Sequence, residues 1–217
     1  MTIQPSFKSK HSIGLRIWHW TTFLVMLCSL ATVLLAKTLF SAKNNILLVQ
    51  ENLQKSNITV TPDQARSVAH EFSDLLWGWH TYIGYVLAGL LAFRILLEFF
   101  LKKEQKFIPT LKSALMALQM PGAGKKEMKH YLLVKWLYLI FYISLFVQAC
   151  TGIFMAYSDD VDSLKQQRHL AKEIHNINMW VILSYIVIHI GGVILAELGK
   201  KNKGVVSGMI NGGQNLN

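Results

Sequence analysis

Hydrophobic positions run almost unbroken through four stretches of the chain: Ile17–Ala36, Leu75–Leu97, Trp136–Tyr157 and Asn176–Ala196. Crossing a hydrocarbon core of roughly 30 Å takes about 20 apolar residues in a helix. Each stretch is long enough. With no water available to its backbone, each must satisfy its own N–H and C=O groups, and helix is the form that does so within one segment. The pattern predicts an all-α, integral membrane four-helix transmembrane bundle, one domain over 1–217. Its spans are expected at about 15–37, 74–100, 133–157 and 173–198. The first stretch follows Lys8, Lys10 and Arg16 as a secretory leader would. Its apolar core exceeds the roughly 7–15 residues of such a leader, and no small-x-small cleavage site follows, so it is read as a retained span.

The polar residues between the stretches add orientation. Charged residues make up 16% of the 217 positions, against about 25% in an ordinary soluble domain. Fourteen of the 22 Lys and Arg lie in the N-terminal tail, in 98–135 and in the C-terminal tail. The segments 37–74 and 158–175 hold seven, offset by eight Asp and Glu. Basic residues concentrate on the cytoplasmic side, so both termini and the middle segment are expected there. The net charge of +10 is then mainly a topological signal, with membrane lipid and no nucleic acid as the expected partner. The outer connection, 38–73, is expected to be partly helical. Thr61-Pro62-Asp63-Gln64 has a cap residue, proline at the first helical position and an acid in the first turn. Val68, Phe72, Leu75 and Leu76 continue it at helical spacing, as an element lying on the membrane surface and leading into span two. The segment 102–132 reads as a basic cytoplasmic loop with a turn at Pro121-Gly122.

Four of the eight histidines fall in or beside spans: His19, His80, His175 and His189. Ionisable side chains at membrane depth are costly and point to function. His175 and His189 are fourteen residues apart, nearly four turns, which puts both on one face about 21 Å apart along the axis. With the expected orientation, His80 and His175 share the outer depth, and His19 and His189 the inner one. Each pair is contributed by two helices. Neutral imidazoles from opposite sides fill the two axial positions of a haem iron, and two stacked haems use all four rings. On the residues alone, a histidine-lined metal transporter or proton relay without haem stays open. His11, His70, His130 and His169 fall in loops or tails and are read as solvated.

Arg94 lies fourteen residues after His80, and Arg16 three before His19, both at the depth of the inner pair. A guanidinium fork suits a haem propionate; for Arg94, an i,i+4 pair with Glu98 is the plainer alternative. Gly84, Gly89, Gly152, Gly191 and Gly192 are assigned mostly to close helix packing. Trp18, Trp20, Trp77, Trp79 and Trp136 sit at span ends as an aromatic belt. Cys28 and Cys150 read as buried packing residues. No CxxCH occurs, which excludes covalent c-type attachment.

Several of these residues carry a resemblance. Arg16-Ile17-Trp18-His19-Trp20 opens span one; His80, Gly84 and Arg94 lie on span two; His175 and His189 lie on span four. The tail runs Gly204-Val205-Val206-Ser207-Gly208-Met209-Ile210-Asn211-Gly212-Gly213. Together they resemble the bacterial cytochrome b-561 and nickel–iron hydrogenase cytochrome b family over roughly residues 10 to 213, although the outer connection is longer than in compact members. The resemblance implies two b-type haems with the pairing above, residence in the bacterial inner membrane, and electron transfer between a donor and a membrane quinone. The donor would be a hydrogenase-like or other soluble subunit, or an outer-side reductant. A stand-alone superoxide:quinone oxidoreductase is the variant reading within this fold. Seven basic against eight acidic residues in the outer segments give no positive field to steer an anion there.

Overall fold

The computed structural model describes residues 12–101, 106–119, 125–158, 161–199 and 204–212. His11, the turn at Pro121-Gly122 and the final Gly213 of the tail motif lie outside them. The elements are α1 (Ile13–Lys37), α2 (Ala42–Lys55), α3 (Pro62–Phe100), α4 (Phe107–Gln119), α5 (Lys125–Ser158), a short 3-10 turn (Asp162–Leu164), α6 (Lys165–Leu198) and α7 (Val205–Asn211). No strand occurs among the described residues. Among the described residues, four helices are long and apolar enough to cross a membrane: Ile13–Lys37, Pro62–Phe100, Met128–Ser158 and Lys165–Leu198. The protein is an all-helical, multi-pass membrane protein.

These helices outlast the apolar stretches that predicted them. At 39 residues, α3 is about 58 Å long, roughly twice the hydrocarbon thickness. Its start is fixed by a reciprocal cap: Gln64 N–H donates to Thr61 Oγ1 at 3.2 Å, and Thr61 N–H donates to Gln64 Oε1 at 2.9 Å. From Pro62 the helix runs uninterrupted into span two. The segment expected on the membrane surface is continuous with that span as one helix. The basic segment 102–132 is likewise more than a loop, because it contains α4 and the start of α5. Glu98 accepts the Phe107 N–H, which caps the first turn of α4. Pro109, third in α4, is in the first turn, where its missing N–H costs nothing.

The chain divides into two compact units, one of Met1–Trp20 with Gly89–Asn217, the other Thr21–Ala88. In the first, α5 packs along α6, and α4 packs on α5 through Ala114, Met128, Leu132, Leu111 and Tyr131. Asn178, buried on α6, donates to Ser144 O at 2.8 Å and to Gln148 Oε1 at 2.6 Å, a polar tie of the kind that joins helices in lipid. Outward-facing positions such as Val187 and Leu195 are 66% and 73% exposed, which suits a surface solvated by acyl chains. In the second unit, Phe40 and Phe72 meet at 6.4 Å between ring centres.

The outer placement of 38–73 is testable at Ser56, which is exposed just after α2. A Ser56→Cys protein in intact cells is expected to react with a membrane-impermeant maleimide added outside. Labelling only after the cytoplasmic face is opened would reverse the topology.

Candidate functional site

All four span histidines are partly buried on long helices, His19 on α1, His80 on α3, and His175 and His189 on α6. His19 and His189 come together within one unit, with ring centres 6.2 Å apart and planes at 58°. Two imidazoles sharing one metal axially, each through a bond of about 2 Å, have ring centres roughly 6 Å apart. The pair therefore has the spacing of a bis-histidine centre. Tyr185, one turn before His189, stacks on it at 5.8 Å and 7°, and Phe141 stacks on Tyr185 at 4.6 Å. This column limits rotation of the His189 ring. Trp20 meets the His19 ring edge-on at 5.3 Å.

The other two histidines share a device that their sequence neighbourhoods do not reveal. On His175, Nδ1 lies 2.9 Å from Thr151 Oγ1. That hydroxyl has a single proton, and it is directed to backbone carbonyls, Val147 O at 2.7 Å and Gln148 O at 3.2 Å. The assignment that satisfies both groups has the imidazole donate from Nδ1, with Nε2 as its basic nitrogen. His80, in the other unit, repeats the arrangement. Its Nδ1 is 3.0 Å from Thr32 Oγ1, and Thr32 donates to Ser29 O at 2.7 Å. Ser29 Oγ is a further neighbour at 3.4 Å. Such outer hydrogen bonds orient a metal-binding histidine and raise its basicity. Gly152 completes the seat of His175: a Cβ there would stand 3.3 Å from the ring's Cε1, so a larger residue would press the imidazole a few tenths of an ångström away from α5.

Arg94 forms the i,i+4 pair with Glu98. Its Nη1 pairs with Glu98 at 3.0 Å and its Nε donates to Tyr142 Oη at 3.1 Å, with the guanidinium 5.3 Å from the Tyr142 ring centre. Arg94, Glu98 and Tyr142, with apolar side chains of α3, α4 and α5, wall a recess of about 350 Å³ that is otherwise apolar. Arg16 donates from Nη1 to Ile210 O at 2.7 Å, while its buried Nε has no hydrogen-bond partner among the described residues. A second acceptor such as a carboxylate would satisfy that atom.

Some expectations need correction. Trp18 does not belong to the belt: it is 7% exposed, its Nε1 donates to Leu90 O at 2.8 Å, and Tyr142 packs against it at 5.9 Å. Its indole N–H finds a buried acceptor, so the ring is drawn inward. Trp20, Trp77, Trp79 and Trp136 are exposed. A Cβ at Gly84, Gly89, Gly191 or Gly192 would meet no described atom within 4 Å, so close helix packing does not account for them. Cys28 and Cys150 are exposed rather than buried. His70, His130 and His169 are exposed as expected, but they lie on α3, α5 and α6 rather than in loops. Among the described residues, no three His, Cys, Asp or Glu side chains group as a metal cage.

The model for the family described as prokaryotic cytochrome b561 matches residues 10–212. No curated protein and no solved structure matches the chain.

Proposed function

Because the chain belongs to the prokaryotic cytochrome b561 family, we propose that it is a two-haem cytochrome passing electrons across the bacterial inner membrane to or from the quinone pool. Membership itself makes it a b-type cytochrome of membrane electron transfer. The finer reading gives His19 and His189 one haem iron on the cytoplasmic side, and His80 and His175 the other on the outer side. Bound haem supplies one-electron chemistry; the chain's residues hold it, fix its orientation and exclude water. The observation that carries the reading is the 6.2 Å spacing of His19 and His189, supported by the Nδ1–H states that Thr32 and Thr151 impose on the remaining two rings. Iron held by two histidines would have no vacant site for oxygen, which favours carrying electrons over activating substrates. Arg16 Nε is a ready donor to a propionate. For a lipid-soluble acceptor, the recess beside Arg94 and Glu98 offers apolar walls within the spans and a polar corner. The donor is a hydrogenase-like or other redox subunit, or an outer-side reductant.

The test is haem b quantified per polypeptide in the purified protein, with a reduced-minus-oxidised spectrum before and after adding a short-chain quinone. Two haems per chain, reoxidised by the quinone, are expected. A colourless protein made with ample porphyrin supply would overturn the haem assignment. A reduced protein indifferent to quinones would overturn the acceptor.

A further inference from the structure

The seven-residue helix α7 is too short to be stable alone, since helices below about 12–15 residues are marginal in water. Both its ends are held by side chains from elsewhere. At its start, the Glu197 carboxylate accepts from Gly204 N–H at 3.2 Å, Val205 N–H at 3.1 Å and Val206 N–H at 3.5 Å. These amides have no partner within a helix, and a carboxylate suits the positive end of the dipole. At its finish, Met209 O accepts from Trp20 Nε1 at 3.0 Å, and Ile210 O accepts from Arg16 Nη1 at 2.7 Å. Those are two of the carbonyls that a helix C-terminus leaves over. Gly204 and Gly212 bring the chain in and out at φ of 96° and 78°, a region glycine enters without strain. A Cβ at Gly212 would touch the Arg16 guanidinium at 3.5 Å.

One end of α7 is therefore tied to α6 and the other to α1, the two helices that bring His189 and His19 together. Arg16 stands one turn before His19, Trp20 immediately follows it and touches its ring, and Glu197 lies eight residues beyond His189. We infer that α7 is a brace across the His19–His189 pair, and that Arg16, Trp20 and Glu197 are positioning residues that fix the separation and relative rotation of the two imidazoles. The inference rests on the proposal that this pair holds a haem. Without the brace, the start of α1 would keep its Trp18 anchor on Leu90 O but lose the two ties that flank His19, loosening the rotation of that ring.

The test uses the full-length, membrane-extracted protein loaded with haem. Trp20→Phe removes one donor while keeping an aromatic ring, Glu197→Ala frees the other end, and a chain ending at Lys203 removes the brace. The readouts are the low-spin electron paramagnetic resonance signals and midpoint potentials of the two haems, together with haem loss to an acceptor protein. The haem on His19 and His189 is expected to change its resonance and potential and to leave about tenfold faster, the low end of the range for outer-shell losses. The other haem serves as an unchanged internal reference. If Trp20→Phe and Glu197→Ala both keep the wild-type signals while the wild type carries two haems, the brace is refuted. Equal disturbance of both haems would also refute it, since that marks general loss of structure. A wild type without the second haem would instead strike down the two-haem reading.

Discussion

Replacing His189 by leucine is expected to remove one haem and leave the other spectroscopically intact. Leucine keeps α6 apolar at that depth, so insertion and packing are preserved and the loss falls on the ligand alone. An iron held by two axial imidazoles loses half of its protein coordination, and His19 by itself cannot retain it. Haem per chain is expected to fall by half, with one potentiometric wave surviving. His19→Leu should give the same spectrum, because the two rings lie 6.2 Å apart and, on the proposed assignment, would serve one iron. Retention of both haems in His189→Leu, or different surviving haems in the two variants, would defeat the assignment.

The second large effect belongs to a residue that touches no ligand position directly. Thr151→Val is nearly isosteric but removes the acceptor that holds His175 Nδ1–H at 2.9 Å. The stranded N–H costs about 1–3 kcal/mol where water is scarce. The imidazole also loses a partner that enhances its donor strength, and outer-shell losses of this kind weaken metal sites by roughly 10–100-fold. A drop of that order is expected in affinity for the haem that survives His189→Leu, with a shifted midpoint potential and the His19–His189 haem unaltered. Thr151→Ser keeps the hydroxyl and should restore most of the binding. Thr32→Val removes the matching acceptor at His80, so it should act on the same haem as Thr151→Val. Potentiometric titration of the two variants decides the matter, and effects on two different haems would break the proposed His80–His175 pairing.

These threonines also mark where reading the sequence stops. The four spans were legible because hydrocarbon thickness imposes a length and charge is excluded at depth. The histidines were legible for the same reason, since an ionisable ring in a span stands out. Thr32 and Thr151, by contrast, are unexceptional in a span, and their role exists only once another helix carries an imidazole to them. Trp18 was misread because a tryptophan at a span end is ordinarily interfacial; the Leu90 carbonyl that draws it inward is 72 positions away. Helix α7 was hidden for a similar reason. Gly204, Gly208 and Gly212 argue for a loop, and its order comes from Glu197, Arg16 and Trp20, distant in sequence. The segment holding α4 reads as a basic loop in the sequence, whereas Ala114 and Leu111 pack it against α5.

The outward placement of Cys28 and Cys150 has a practical consequence. Both thiols belong to segments of bilayer-crossing length, where acyl chains rather than buffer surround an exposed side chain. A polar sulfhydryl reagent is expected to reach neither, so the natural chain should be its own silent background. Engineered cysteines at Ser56 or elsewhere in the connections can be read out without first stripping the native pair.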